Sequence, residues 1–407
     1  MLTRSCLSCL YVMVLVFFVT AESVLATERI DHRIGVVIDT RTKIVSPESG
    51  LKIERAMLGM LRHPDGSILL SLQTLPVLLR STDDGRTWDQ VDVRLPGDPH
   101  DPIIHGIGVS RDGRVWLMHQ TGNAGKDLYV SVSQERGGSE FTWTTTQIDY
   151  AQLAPNRAQP YLYCYNDYNT FFQRPNGEMV LGIGLRYEGH EDYQQEDQSR
   201  PGFHETLIRS SDGGETWGDP TEVHAHIAET CYTVDPRDPD HILAMTRKQR
   251  PLLRGEDPAT VAGQAGVPVE VEWPWKGALL VESRNGGRTF HEVADSYLGY
   301  YSHRGTMLWT NDNVIVSPHT AAGKRDYRLV VNISLDGGQT WVDGTESGTS
   351  AMNLARDFVL TPYPPGFNFT TPTVQISRHR FLTVHCYGQG PYRTVGAVSW
   401  HIETLTE

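Results

Sequence analysis

The sequence has 407 residues, 39% of them hydrophobic, and a formal net charge of −13 at neutral pH. This acidic balance argues against nucleic acid as a partner, because binding to a phosphate backbone requires a surface rich in Lys and Arg. An acidic glycan would have to be bound by a local cluster of basic side chains.

Residues 1–26 are predicted to be a secretory signal peptide. Arg4 lies near the start, an apolar run extends from Leu10 to Val19, and Val24-Leu25-Ala26 forms a small-residue cleavage site. The run is too short to cross a bilayer comfortably, and we expect no membrane span after cleavage. The mature protein is therefore expected to comprise residues 27–407 and to be secreted or periplasmic.

The mature chain is expected to fold as a single domain, because it contains no Pro/Ser-rich linker and no block of charge that would divide it. Cys6 and Cys9 belong to the signal peptide, which leaves Cys164, Cys231 and Cys386. An odd and sparse set of this kind is not a disulfide framework, and its spacing indicates no metal site. We therefore expect buried thiols, and neither a metal nor a cofactor.

The most specific signal in the sequence is a repeated motif of the form Ser-x-Asp-x-Gly-x-Thr-Trp. In each copy the Asp or Asn side chain can bond to its own backbone, the Gly accepts a positive φ, and the aromatic residue packs beneath the turn. We therefore assign these carboxylates a structural role rather than a catalytic one. The three closest copies are Ser81–Trp88, Ser210–Trp217 and Ser334–Trp341, a fourth is Ser283–Phe290, and a weak fifth spans Ser133–Trp143.

A second repeat precedes the first: an apolar run is interrupted by a tight polar turn and then resumes, which is typical of a β-hairpin. One such hairpin and the following boxed hairpin give four strands, the size of a propeller blade. The last unit lacks a box, so the strand near Ile34 to Asp39 is expected to complete it. The sequence therefore predicts an all-β fold, a six-bladed β-propeller of four-stranded antiparallel blades. The six turns are Pro64–Gly66, Arg111–Gly113, Pro175–Gly177, Asp238–Asp240, Asn311–Asn313 and Ser377–His379.

These Asp boxes and the rhythm of six hairpins resemble the sialidase (neuraminidase, BNR-repeat) superfamily over nearly the whole mature chain. In that family, arginines from the first, fourth and fifth blades hold the substrate carboxylate, and a glutamate that starts the fourth blade supports a tyrosine nucleophile. Arg55, Arg247 and Arg304 fall in the matching blades, and Glu229 starts the fourth blade. The resemblance implies an exo-α-sialidase-type hydrolase that binds an acidic glycan through bidentate guanidinium contacts.

The sequence departs from the family at two positions. The loop Gln73–Leu79 contains no acid where the family has its aspartate, and no tyrosine stands near Phe369. Asp101 is a candidate replacement for the acid. Tyr363 and Tyr387 are candidate nucleophiles.

Further polar residues are predicted on the face opposite the Asp boxes, where a ligand pocket is expected. A second interpretation takes His119, Tyr168 and Arg186 from this set, in an arrangement similar to that of propeller lyases and rhamnosidases of uronic-acid polysaccharides. There, His or Tyr would abstract a proton and Arg would neutralise the uronate. A third interpretation is a glycan-binding propeller without catalysis. The predicted substrate-binding residues, besides the arginines above, are His105, His119, Tyr168, Arg186 and His303, and Asp167, Tyr232, Tyr301, His319 and His385 are also placed on this face.

Overall fold

The computed structural model describes residues 34–49, 53, 58–72, 75–95, 103–120, 128–137, 140–149, 161–165, 171–187, 203–225, 227–250, 256–257, 259–260, 275–294, 296, 302–303, 306–322, 327–342, 358–362, 370–388 and 393–404. All of these residues belong to one compact unit, residues 33–407. The signal peptide predicted for residues 1–26 lies outside the described residues and stays a prediction. Within the described part of the chain, no helix is long and apolar enough to cross a membrane.

The described strands form six antiparallel sheets arranged as the blades of a ring, which confirms the predicted six-bladed β-propeller. Blades 1 and 2 contain β2 (Leu58–Arg62), β3 (Ile68–Leu72), β4 (Val77–Ser81) and β5 (Asp89–Asp92), then β6 (Ile103–Val109), β7 (Val115–Gln120), β8 (Leu128–Ser133) and β9 (Trp143–Ile148). Blades 3 and 4 contain β10 (Tyr161–Tyr165), β11 (Phe171–Gln173), β12 (Met179–Tyr187), β13 (Phe203–Ser210) and β14 (Gly218–Ala225), then β15 (Ile227–Val234), β16 (Ile242–Arg250), β17 (Trp275–Ser283) and β18 (His291–Glu292). Blades 5 and 6 contain β19 (Ser302–His303), β20 (Leu308–Trp309), β21 (Ile315–Ala322), β22 (Tyr327–Ser334) and β23 (Phe358–Pro362), then β24 (Thr373–Ser377), β25 (Arg380–Tyr387), β26 (Thr394–Thr404) and β1 (Ile34–Val45).

Blade 6 joins the two ends of the described chain. Its order is β1-β26-β25-β24, so the first strand of the sequence forms the outer edge of the last blade. The pairing runs from Ile34 opposite Thr404 to Val45 opposite Val395. The expectation that an N-terminal strand completes the unboxed blade is therefore confirmed, and it closes the ring through backbone hydrogen bonds.

Each Asp box is a turn held by hydrogen bonds to the side chains of its Ser and its Asp or Asn. In the first box Ser81 Oγ donates to Asp83 Oδ1 at 2.8 Å and accepts from the Gly85 amide at 2.8 Å. Thr87 donates to Asp83 through its amide at 2.9 Å and through its hydroxyl at 2.7 Å. These bonds satisfy the carboxylate locally, so the structural role is confirmed. The same pattern recurs at Asp212, Asn285 and Asp336.

The weak fifth copy keeps the turn with a different acid. Here the Thr142 amide and hydroxyl donate to Glu135 at 2.7 and 2.6 Å. Glu135 stands two residues after Ser133, the position that the aspartate holds in the other copies, so a glutamate replaces the aspartate here.

The glycines of the boxes allow each box to pack against the preceding blade. A Cβ at Gly214 would lie 2.5 Å from the Trp116 ring in blade 2, and one at Gly85 would lie 2.4 Å from Leu382 in blade 6. Both glycines also have positive φ, 96° and 86°. The motif therefore requires glycine both for backbone conformation and for close contact between blades.

The inner hairpins form a continuous belt around the axis on the Asp-box face. Each hairpin contacts the next by a polar or aromatic contact, so this end of the ring is held together independently of the apolar seams. In order around the ring the contacts are His63 Nε2 to Gly113 O at 2.7 Å, the Arg111 amide to Gln173 at 2.7 Å, Arg174 with Asp240, the rings of His241 and Trp309 at 4.8 Å, His379 with Asp312 at 2.7 Å, and Arg62 to Ile376 O at 3.3 Å.

We predict that Gly214→Ala is much more destabilising than Gly66→Ala. Both positions have positive φ, which costs an alanine about 1–2 kcal/mol. Only Gly214 also faces a ring, and overpacking adds about 1–3 kcal/mol, whereas nothing lies within 4 Å of a Cβ at Gly66. Urea unfolding of the two variants measures the difference, and equal losses would contradict the close inter-blade contact.

The Asp boxes also predict how stability depends on pH. Hydrogen bonds from Thr87 lower the pKa of Asp83 to about 2, and those from Thr216 lower the pKa of Asp212 to about 2. A carboxyl with a lowered folded-state pKa stabilises the fold above its unfolded pKa of about 3.9, and this contribution is lost as the pH falls through the folded value. We expect Asp83→Asn to reduce the loss of unfolding free energy between neutral pH and pH of about 3. The exposed neighbour Asp89→Asn serves as the control and should leave that loss unchanged.

Candidate functional site

The face opposite the Asp boxes carries polar and ionisable side chains at the strand ends. In each blade the first strand begins at this face and the second strand ends there, so both positions meet along one edge of the antiparallel pair. Glu229 lies near the start of β15, and Gln120, Arg247 and Tyr387 lie at or near the ends of β7, β16 and β25. The topology therefore gathers these residues on one face of the ring.

Glu229 and Arg247 form a buried ion pair in blade 4. Arg247 Nη1 lies 2.6 Å from Glu229 Oε2, and the Glu229 side chain is 0% exposed while that of Arg247 is 12% exposed. Two charges removed from water are retained only when paired at short distance. The buried carboxylate thus fixes the position of the arginine, whose side chain keeps a small exposed fraction on this face.

A β-bulge presents Glu229 to its partner. Ala228 pairs with Arg247 and Cys231 with Met245, so Glu229 and Thr230 together oppose Thr246. Glu229 also has a φ of 59°, in the left-handed region that residues other than glycine seldom adopt. Strained backbone and bulges of this kind concentrate at functional sites, where they re-aim a side chain.

Blade 2 places His105 on the same face. His105 lies within a register shift, between Ile104 and Gly106. Its Nε2 lies 2.8 Å from Gln120 Oε1. Since an amide oxygen only accepts, the ring donates this bond through Nε2. His105 is 6% exposed and Gln120 4%, so the imidazole is fixed within the wall of the site.

His119 lies inside the blade rather than on its rim. Its Nε2 is 2.8 Å from Ser131 Oγ, and Ser131 is 2.6 Å from Thr145 Oγ1 on the next strand. Its ring stacks on Tyr129 with centroids 5.5 Å apart. Burial, together with the nearby His105, lowers the pKa of His119 to about 4. At neutral pH this histidine is therefore uncharged.

In blade 6, threonines stand where the sialidase pattern would have a tyrosine. The Leu58 amide of blade 1 donates to Thr370 Oγ1 at 2.7 Å. Thr371 donates to Pro318 O at 2.7 Å and accepts at its carbonyl from Thr306 at 2.6 Å, both in blade 5. These side chains are buried and join three blades, which accounts for the residue type at this position.

Tyr387 lies on the same face of blade 6, stacked on His385 with ring centroids 5.4 Å apart. Gly396 on the adjacent strand makes room for both rings, since a Cβ there would lie 2.8 Å from His385 and 3.1 Å from Tyr387. Burial, together with Arg41, lowers the pKa of His385 to about 3. Tyr387 is thus a half-buried phenol stacked on the uncharged imidazole of His385.

Several predicted residues cannot be placed. Asp101 and Arg55 lie outside the described residues, and only the backbone strands of Arg186 and His303 are described. Of the three arginines predicted to hold the substrate carboxylate, only Arg247 has a described side chain. The other assignments stay predictions. Also outside the described residues are Tyr168, Arg304, Tyr363, Asp167 and Tyr301.

Two buried polar contacts were not anticipated from the sequence. Gln120, which fixes His105, ends an apolar run and carries no motif. Tyr232, expected on the site face, is buried between blades 3 and 4, where its hydroxyl donates to Glu205 Oε1 at 3.0 Å. Burial, and then the Glu205 carboxyl, raise the pKa of Tyr232 well above its usual value. Only the packing of neighbouring blades reveals this pair.

The cysteines agree with the expectation of buried thiols as far as they are described. Cys231 and Cys386 are buried and form no disulfide, and burial raises the pKa of the Cys386 thiol to about 12. Among the described residues no group of three or more His, Cys, Asp or Glu side chains could hold a metal ion.

No protein-family model and no curated protein matches the sequence. Solved structures do resemble it. A protein of unknown function from Dyadobacter fermentans has a TM-score of 0.60 at 16% identity, over 91% of this chain and 100% of that one. A Hadza microbial sialidase has a TM-score of 0.56 at 16% identity, over 87% and 67%. An α-L-arabinofuranosidase from Fusarium graminearum has a TM-score of 0.55 at 13% identity, over 89% and 97%.

The chain has the sialidase-like six-bladed propeller fold. At these identities the likeness concerns the fold alone, and function depends on the residues of this chain's own site.

We predict that Arg247→Met is strongly destabilising. Removal of the guanidinium leaves the carboxylate of Glu229 buried without its partner, which typically costs about 3–5 kcal/mol. The control is Arg136→Met on the Asp-box face, where the arginine is 71% exposed and its partner Asp112 is 36% exposed. Loss of an exposed pair should cost about 1 kcal/mol or less. Urea unfolding measures both, and the double variant Glu229→Gln/Arg247→Met should recover part of the loss.

Proposed function

We propose that the protein is a secreted glycoside hydrolase of the exo-α-sialidase type, which removes terminal sialic-acid-like sugars from acidic glycans. The observation that carries this proposal is the Glu229–Arg247 pair at 2.6 Å on the site face. A guanidinium whose position is fixed by a buried carboxylate, on a side chain that is not fully buried, is suited to bidentate binding of a planar carboxylate. Arg55 and Arg304 are the proposed partners of Arg247 in this clamp.

The proposed mechanism uses a tyrosine nucleophile in a retaining reaction. An anionic nucleophile would be repelled by the carboxylate of the substrate, whereas a phenol is neutral until its proton is removed. Tyr387 supports this role by its position on the site face, half-buried and supported by His385. Tyr363 is the other candidate, Glu229 is the proposed supporting carboxylate, and Asp101 is the proposed acid that protonates the leaving oxygen.

The fold supports a glycosidase more broadly than it supports a sialidase. Two of the similar solved structures are glycosidases that act on different sugars: one is a sialidase and the other an arabinofuranosidase. A neutral arabinose would have no carboxylate for Arg247 to bind. The buried ion pair on the site face is therefore the reason to favour an acidic sugar.

The test is turnover by the purified mature protein of a fluorogenic α-sialoside, an α-L-arabinofuranoside and a panel of uronic-acid polysaccharides. We expect cleavage of the sialoside. Arg247→Lys, which keeps the charge but loses the planar fork, should lower kcat/KM by roughly 10- to 100-fold, since each hydrogen bond to a charged group contributes about 1.5–3 kcal/mol.

Arg237→Lys, on the opposite face, is the matched control and should leave kcat/KM unchanged. New unsaturated chain ends from uronic-acid polysaccharides, without sialoside cleavage, would replace the proposal with the lyase interpretation. Sugar binding without turnover would instead leave a glycan-binding propeller. Cleavage of the arabinofuranoside alone would keep a glycosidase but reject the acidic substrate.

A further inference from the structure

We propose that Thr230 is a positioning residue of this site, because its hydroxyl fixes the β-bulge that brings Glu229 to Arg247. The proposal rests on the proposed function only for what Arg247 binds. The role of Thr230 in holding the bulge rests on contacts within blade 4, and it can be tested without a substrate.

The backbone of Glu229 is unusual for its residue type. Its φ is 59°, and the other described residues besides glycine with positive φ are Asp84, Asp219, Asn313 and His379. Asp, Asn and His are the types that adopt this region most often after glycine, whereas Glu is not among them. A backbone of this kind persists only where the surrounding structure determines it. Contacts beside Glu229 therefore have to hold it in place.

The bulge in β15 leaves one residue more than the facing strand can pair. Glu229 and Thr230 together oppose Thr246, and regular pairing with β16 resumes on both sides. Backbone pairing alone does not decide which residue of β15 is the extra one. A bulge placed one residue earlier or later would aim the Glu229 side chain elsewhere, because a bulge changes side-chain direction locally.

A buried pair of hydroxyls spans the bulge. Thr230 Oγ1 lies 2.8 Å from Thr246 Oγ1, and Thr230 is 0% exposed and Thr246 1%. Such a bond is costly to break, since a hydroxyl left without its partner here is shielded from water. The bond therefore joins Thr230 to the residue opposite and leaves Glu229 as the extra residue of the bulge.

The ion pair of the site is the adjacent link between the same two strands. Glu229 directly precedes Thr230 in β15, and Arg247 directly follows Thr246 in β16. From its position in the bulge, Glu229 Oε2 lies 2.6 Å from Arg247 Nη1. The hydroxyl pair and the ion pair thus depend on one register, so loss of the first should loosen the second.

Blade 6 contains a matched pair without a bulge. Thr373 Oγ1 lies 2.8 Å from Thr383 Oγ1, and the two residues are directly opposite each other in β24 and β25. Both are buried. The same chemistry therefore links the first and second strands of a blade that does not contain Arg247. Thr373→Val measures the loss of a buried hydroxyl as such.

Three variants separate positioning from packing. Thr230→Val removes the hydroxyl and keeps the β-branched shape, whereas Thr230→Ser keeps the hydroxyl and loses a methyl group. Thr230→Val/Thr246→Val removes both hydroxyls of the pair, so neither is left buried without the other. This double variant tests the same link if Thr230→Val alone does not fold.

The first measurement is thermal unfolding, which does not depend on activity. We expect Arg247→Met to lower Tm by about 1 °C or more less in the Thr230→Val protein than in the wild type, because linked contacts are not additive. In the Thr230→Ser and Thr373→Val proteins, Arg247→Met should cause the full wild-type loss. An equal loss in the Thr230→Val protein and in the double valine variant would overturn the proposal.

The second measurement is the kinetics of cleavage of the fluorogenic α-sialoside. Thr230→Val should lower kcat/KM roughly fivefold, chiefly through KM, because Arg247 binds the substrate carboxylate before the reaction as well as during it. Thr230→Ser should restore KM, and Thr373→Val should leave it unchanged. Coupling in Tm with an unchanged KM would reject the positioning role and leave a structural contact. If the wild type does not cleave the sialoside, the proposed function fails, and the Tm coupling alone decides whether Thr230 holds Glu229 against Arg247.

Discussion

Each blade of this protein can bury its two faces only against its neighbours, so the ring has to close. Apolar clusters fill the seams, among them the cluster of Leu243, Met245 and Ile315 between blades 4 and 5. A seam left open would expose such a cluster to water, which costs a free energy of about 25 cal/mol for each Å² of apolar surface. The pairing of β1 with β26 prevents this, because it joins the last blade to the first described strand.

Ring closure acts differently at the two faces. On the Asp-box face, the belt of inner hairpins connects every blade to the next through polar and aromatic contacts, such as His379 with Asp312. On the opposite face the described strand ends carry ionisable groups instead, including Glu229 and Arg247. The Asp-box end of the ring thus links every blade to the next, whereas the opposite end combines a few such links, at Thr370 and Thr371, with ionisable groups that can carry chemistry.

The fold could be predicted from the sequence because its turns are local. The bonds from Thr87 to Asp83 form within five consecutive residues, so the motif is visible in a single window of sequence. The six inner hairpins and the closing strand near Ile34 follow from the same turn chemistry and from counting strands. Blade number thus depends on short-range information.

The site could be predicted only in part, because its geometry depends on contacts between distant residues. Glu229 and Arg247 were recognisable from blade position and from the family resemblance. The bulge that turns Glu229 depends on the register of β15 against β16, which no pattern in either strand reveals. Likewise, His119 bonds to Ser131 on another strand, and Tyr232 to Glu205 in another blade. Such partners are chosen by tertiary packing, so a polar residue at a strand end indicates a site only after its partners are known.

The seam between blades 4 and 5 shows how a packed interface becomes a site within one pair of strands. Leu243 and Ile315 are apolar, Met245 and Ser317 combine a thioether with a hydroxyl, and Arg247 and His319 are ionisable. Each step is two residues along strands whose backbone pairing does not change. The buried charge of Arg247 is compensated by the carboxylate of Glu229. A bulge in β15 brings Glu229 to this position. In blade 4 the chemistry of the site therefore depends on a local departure in β15, while β16 and β21 keep the regular geometry that holds the ring closed.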